Sequence, residues 1–297
     1  MDKIIEIPRN IEDTFGDAFA KLFKIIKEIN NSPKGDKIVL DFSKNTWVNP
    51  FFILPLMLIS KSIEQEIVCI NTSPYLDNIY FNNVLKLDDI TAAKTELTKF
   101  TTKSYIPIVC FTALKSEDVL RDNILEILGR IIKTQLNPEI QFYTAIRYII
   151  DEAVANIKDH SGSEKGFIFA QYYASKQYID ICISDCGKGI LQSYLDNGIN
   201  NISNSSEALA EAINGLSTKN LPSAENRGYG IRTSRKMIVT GLGGYFSILS
   251  GDAFYVYNRT KENIITLKDN LMWKGTIVAI RMPYSNIRNF DYSKYLE

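Results

Sequence analysis

Three polar residues stand at four-residue intervals within residues 143–161, YTAIRYIIDEAVANIKDHS: Glu152, Asn156 and His160. In an α-helix each such step rises ~6 Å and drifts only ~40° around the axis. A carboxylate, an amide oxygen and the chain's one imidazole would therefore share a single helix edge. Oxygen donors in that position suit a divalent cation held against phosphates. Beside them Ile146, Ile149, Ile150, Ala153, Val154 and Ile157 form a wide apolar stripe at helical spacing. The same pattern describes an amphipathic helix with a solvated flank, and the helix alone does not choose between the two.

Two glycine motifs follow. Asp185-Cys186-Gly187-Lys188-Gly189 puts a carboxylate at the end of an apolar, strand-like run. Its two glycines let backbone approach a flat or charged ligand closely, and a buried aspartate there can accept a hydrogen bond from an exocyclic amine. Gly228 and Gly230, in Arg227-Gly228-Tyr229-Gly230, precede an apolar helix whose first N–H groups would be free to meet phosphate oxygens. Lys219 and Arg227 flank the intervening loop and could neutralise phosphate charge. A dinucleotide-binding G-x-G-x-x-G is excluded, because Gln192 stands where the third glycine would fall, and Gly241-Leu-Gly-Gly follows a helix instead of a strand. No Walker A motif is present.

The elements that must position these groups read in order. Residues 3–7 and 37–42 (KIVLDF) and 67–70 are strands. Residues 11–29, 50–64 and 73–85 are helices, with Asn10 and Ser73 as caps and Pro50 and Pro74 in first turns. That is a βαβαβα layer. Residues 101–113 read as an extended segment, an edge strand given Pro107. The charged helix 116–135 reads as a bridge between the halves or a dimer surface. After the polar-edged helix, 166–173 and 178–184 alternate as a hairpin, 191–227 is a helix-and-loop region, 231–239 a helix, and 244–250 and 275–282 are strands.

Composition narrows the partners. Lys+Arg and Asp+Glu each number 34 in 297 residues, so no net charge steers the chain to nucleic acid or anionic lipid. The first ten residues lack a signal-peptide layout, and the longest apolar run, 47–59, is too short to span a bilayer. A cytoplasmic protein without membrane or nucleic-acid partners is expected. Cys69, Cys110, Cys182 and Cys186 form no C-x-x-C pair, and a single histidine cannot complete a His-rich zinc site. Self-phosphorylation on histidine would need an acceptor histidine elsewhere in the chain, and there is none unless His160 itself serves.

Taken together and in order, Glu152…Asn156…His160, DCGKG, GLSTK…RGYGIRTSRKMI and the KGT before the last strand resemble the GHKL ATPase superfamily over residues 136–285. That group holds gyrase-type, chaperone, histidine-kinase and anti-sigma-factor ATP-binding domains. The pattern Glu-x3-Asn-x3-His is most similar to the anti-sigma-factor serine kinase branch. The resemblance implies Mg²⁺ held by Asn156, Glu152 as the carboxylate activating water or a hydroxyl, and Asp185 reading adenine with Gly187, Gly189 and Thr276 in support. It further implies Ser217, Thr218 and Lys219 in a mobile lid spanning 215–227, and Gly228 and Gly230 on the phosphate side. His160 is read as structural. In layout, the first half resembles the STAS fold of anti-sigma-factor antagonists. The switch-serine neighbourhood there reads Asn49-Pro50-Phe51-Phe52, without a hydroxyl, so phosphorylation of that half is not expected.

The expected architecture is α/β throughout. A STAS-like domain (1–100) and a connecting strand and helix (101–135) precede a histidine-kinase-like ATPase sandwich (136–290) under an ATP lid. The expected function is Mg·ATP binding by a regulatory ATPase or a protein serine/threonine kinase in bacterial signalling, with a regulatory protein partner and a homodimer as one arrangement. The alternative is a nucleotide-gated interaction module without turnover.

Overall fold

A computed structural model describes residues 2–11, 15–63, 65–216, 229–269, 271–284 and 290–296. The chain is mixed α/β and builds two sheets. The first is parallel and three-stranded, in the order β1 (Lys3–Glu6), β2 (Ile38–Asp41), β3 (Ile67–Ile70), with Ile5 opposite Leu40 and Leu40 opposite Cys69. The central β2 is apolar and buried, as strands covered on both faces are. Helix α1 (Phe15–Asn30) and helix α2 (Pro50–Ser62) pack against each other in this half. The oxygen Oδ1 of Asn49 caps α2, accepting the Phe52 N–H at 3.1 Å.

Every residue of α2 from Pro50 to Ile59 is buried, because the helix is apolar all round and has neighbours all round. It touches α1 and β3 on one side and the second sheet on the other.

That second sheet has eight strands. In chain order they are β4 (Leu85–Lys86), β5 (Tyr105–Thr112), β6 (Lys165–Tyr173), β7 (Tyr178–Asp185), β8 (Tyr245–Gly251), β9 (Ala253–Asn258), β10 (Lys261–Thr266) and β11 (Trp273–Pro283). In space they run β10-β9-β8-β11-β7-β6-β5-β4. All pairs are antiparallel except β4 with β5. Side chains alternate between faces, and β7 shows the consequence: Ile179, Ile181 and Ile183 join the helix-side core, whereas Cys182 joins the core shared with the N-terminal half. On the latter face Arg281 grips Asp180 in a bidentate pair, Nε to Oδ1 and Nη2 to Oδ2 both 2.7 Å, and its guanidinium stacks 4.0 Å over the Tyr178 ring.

Several expectations change. The expected helix 73–85 is only α3 (Pro74–Asn78). Tyr80 takes φ 63°, and the Ile79 carbonyl accepts the Ile108 N–H at 2.9 Å, so the chain turns away into β4. Asp89 then caps a helix absent from the sequence expectation, α4 (Ile90–Thr98). The strand expected at the edge, β5, lies one place inside it and tolerates Pro107 where its register with β6 shifts between Ile106 and Val109. Sheet pairing therefore does not divide at residue 100 or 136. β4 and β5 belong to the large sheet, and helix α5 (Asp118–Leu136) packs on β5 and α4. The hairpin β9–β10 was also unread. No helix among the described residues is long and apolar enough to cross a membrane.

Candidate functional site

Helix α6 (Ile140–Asn156) buries Phe142, Ala145, Ile146, Ile149, Ile150, Ala153 and Val154 on the helix-side core. Its last turn widens into a π turn at Ile157–Ser161 and ends at Gly162, φ 67°. Such a turn shifts side-chain direction at the helix end and often marks functional sites. Here it carries His160 and Ser161 to the wall of a cleft that also holds Glu152 and Asn156. The cleft has about 970 Å³ of space, counting its open mouth.

The sheet supplies the floor. Ile183 and Asp185 of β7, Ile248 of β8, and Thr276 and Val278 of β11 all face it. Strand alternation places them there, since each shares parity with the residues of its strand that enter the helix-side core. Helix α7 (Gly189–Asp196), helix α8 (Ser205–Asn214) with Leu216 after it, and helix α9 (Tyr229–Lys236) complete the walls.

Asp185 is 1% exposed. Its Oδ1 accepts the Gly187 N–H at 2.7 Å. Burial pushes its carboxyl up from 3.8 to about 6, while the backbone N–H groups of Gly187 and Thr276 hold it down. Neither partner is a cation.

Around the turn after Asp185, the positions of Gly187 and Gly275 leave no room for a side chain. A Cβ on Gly187 would strike the Ser161 carbonyl oxygen and lie 2.9 Å from Asp185 Oδ1, and one on Gly275 (φ +93°) would lie 2.7 Å from that same atom. Gly189 takes φ +76°. Two serines outside the expected site residues tie this turn down. The Ser161 carbonyl accepts the Lys188 N–H at 2.8 Å. The Ser250 hydroxyl, 3% exposed, accepts the Ile190 N–H and donates to the Gly275 carbonyl, both at 3.0 Å. Ser161 had a signal in its position just before a helix-ending glycine. Ser250 had none short of the strand pairing.

No family model, curated protein or solved structure matches this chain.

Of the residues expected from sequence, Glu152, Asn156, Asp185, Gly189, Gly230 and Thr276 line one cleft, with Gly187 directly behind Asp185. Ser217, Thr218, Lys219 and Gly228 lie outside the described residues. Three clustered His, Cys, Asp or Glu side chains able to hold a metal by themselves do not occur among the described residues. Burial raises the thiols of Cys69 and Cys186 to about 11 and those of Cys110 and Cys182 above their ordinary value, so none is a ready nucleophile.

Proposed function

We propose that the cleft binds Mg·ATP and that the chain is a regulatory ATPase or protein serine/threonine kinase. The observation that carries this reading is Asp185. It is a carboxylate buried on the cleft floor, partnered by neutral N–H groups, with room for a ligand that donates to it. An exocyclic amine on a flat heterocycle would match that carboxylate in chemistry, and the apolar floor of Ile183, Ile248 and Val278 would match the ring.

Glu152 and Asn156, one turn apart on α6, stand on the cleft wall where a triphosphate would extend. Their oxygens suit a hard cation that is completed by phosphate oxygens and water, which is how Mg²⁺ is commonly held. When bound, the ion would neutralise charge on the phosphates. The protein's own part is positioning. Asn156 would orient the phosphates, and Glu152 would take the proton of the attacking water or hydroxyl as its oxygen bonds to the γ-phosphorus and ADP leaves.

The N-terminal half, STAS-like in this reading, is the regulatory partner's place or the partner itself. Asn49, in the neighbourhood where that family carries its switch serine, is 0% exposed and committed to capping α2, which favours a docked scaffold over a phosphorylation substrate.

The test follows labelled γ-phosphate with the purified chain. Release as inorganic phosphate by wild type and not by Glu152→Ala supports the ATPase; label retained on bound ATP favours the nucleotide-gated module. If wild type does not bind Mg·ATP at millimolar concentration, the reading fails.

A further inference from the structure

Gly230 is the second residue of helix α9, and its φ does not require glycine. Alanine is the better helix former. The reason for glycine lies across the helix pair. A Cβ on Gly230 would fall on Glu152 Oε2 and stand 2.8 Å from its Cδ and 3.4 Å from its Cγ. The whole end of the Glu152 side chain thus rests on the bare Cα of Gly230, where α6 and α9 pack together.

Sequence alone assigned Gly230 to the phosphates. We infer instead that Gly230 is a positioning residue for the Glu152 carboxylate: its missing side chain sets where the carboxylate sits between α6 and α9 at the cleft wall. Glutamate has three rotatable bonds, and a proton acceptor must be held within a fraction of an ångström of its productive place. A wall built from a neighbouring helix does that more firmly than α6 alone. The proton-accepting role of Glu152 rests on the function proposed above, whereas the contact itself does not.

The experiment therefore has two arms. In the first, Gly230→Ala is made in wild type and in Glu152→Ala, and urea midpoints are compared. The expected result is that the substitution raises the midpoint where Glu152 has been shortened, and raises it less or lowers it where Glu152 is present and its flexible end must move aside. The same sign and size in both backgrounds overturns the inference, and this arm needs no nucleotide.

In the second arm, Gly230→Ala is expected to lower kcat roughly a hundredfold while the Kd for Mg·ATP moves by less than about threefold. Glu152→Asp in the same chain, with a carboxylate one methylene shorter, is expected to recover part of that loss. A Kd that collapses together with kcat would return Gly230 to the phosphates and sink the proposal. Failure of wild type to bind Mg·ATP would remove the proposed function and leave the midpoint comparison to decide whether Gly230 positions Glu152.

Discussion

Replacing Asp185 by asparagine should make the empty protein more stable and the cleft a poorer binder. The carboxyl titrates near 6 in the fold, against 3.8 unperturbed, a difference of about 3 kcal/mol. The sign follows from proton uptake. Below about pH 4 the group is neutral folded and unfolded, and it contributes nothing. Between about 4 and 6 the folded state holds a proton that the unfolded chain has released, so stability falls as pH rises. Above 6 both states are ionised and the full cost of about 3 kcal/mol is present. Asparagine keeps an oxygen for the Gly187 N–H and has no charge to desolvate. Urea unfolding at pH 8 should therefore show Asp185→Asn more stable than wild type by about 3 kcal/mol. The gap should narrow to roughly half at pH 5. Affinity for Mg·ATP should fall at the same time by roughly ten- to a hundredfold, the worth of a hydrogen bond to a charged group. A variant less stable than wild type at pH 8, or a gap that does not change with pH, would refute the argument that burial without a cation governs this carboxylate.

Substitutions at three further positions probe the supports. Ser250→Ala removes a hydroxyl that serves both the Ile190 N–H and the Gly275 carbonyl, so about 2–3 kcal/mol should be lost in denaturant unfolding, with weaker Mg·ATP binding as the Asp185 turn loosens. Arg281→Ala leaves Asp180, 0% exposed, without its guanidinium; a loss of about 3–5 kcal/mol is expected, read as a lower melting midpoint and faster proteolysis of the N-terminal half. Asn49→Ala should cost about 1 kcal/mol through the α2 cap, whereas Asn49→Ser keeps a capping oxygen and removes the buried, unpartnered Nδ2, so its urea midpoint should stay within a few tenths of a kcal/mol of wild type.

What sequence could reveal about this fold depended on how local the signal was. The stripe on α6, the parity of β6 and β7 and the buried β2 are patterns within one element, and each element formed where its pattern lay. The short α3 could not be foreseen, because Tyr80 at positive φ and the Ile79–Ile108 bond are tertiary facts overriding a run that reads as helix. The membership of β4 and β5 in the large sheet is likewise non-local. β5 finds its partner β6 more than fifty residues on, past two helices, and nothing in residues 101–135 announces it. β9–β10 escaped for another reason: β10 is an edge strand, mostly exposed, and so carries little apolar alternation. For the cleft, side chains that bear charge or lack a Cβ were visible as motifs. Of the serines that brace them, Ser161 acts through its backbone carbonyl and is marked only by its place before a helix-ending glycine, and Ser250, which acts through its hydroxyl, has no mark short of the strand pairing.

Strand β7 carries two buried carboxylates whose surroundings differ. Asp180 faces the N-terminal half and meets Arg281 through two hydrogen bonds, a charge pair sealed beneath α2. Asp185 lies five residues on, and odd spacing on a strand turns it to the other face. There it has N–H groups and no cation. A fold selected only for stability would gain by neutralising Asp185 as it neutralises Asp180, or by replacing it with an amide. The three glycines packed around Asp185 and its turn, Gly187, Gly189 and Gly275, each cost backbone entropy as well. Stability is thus spent at one end of one strand, at the floor of a cleft, on a carboxylate left short of a positive partner. Buried carboxylates in that condition are found where a ligand supplies what the protein withholds. On the other face of the same sheet Arg281 fills the corresponding need from within, which is why the function is sought at Asp185 and the docking of the two halves at Asp180.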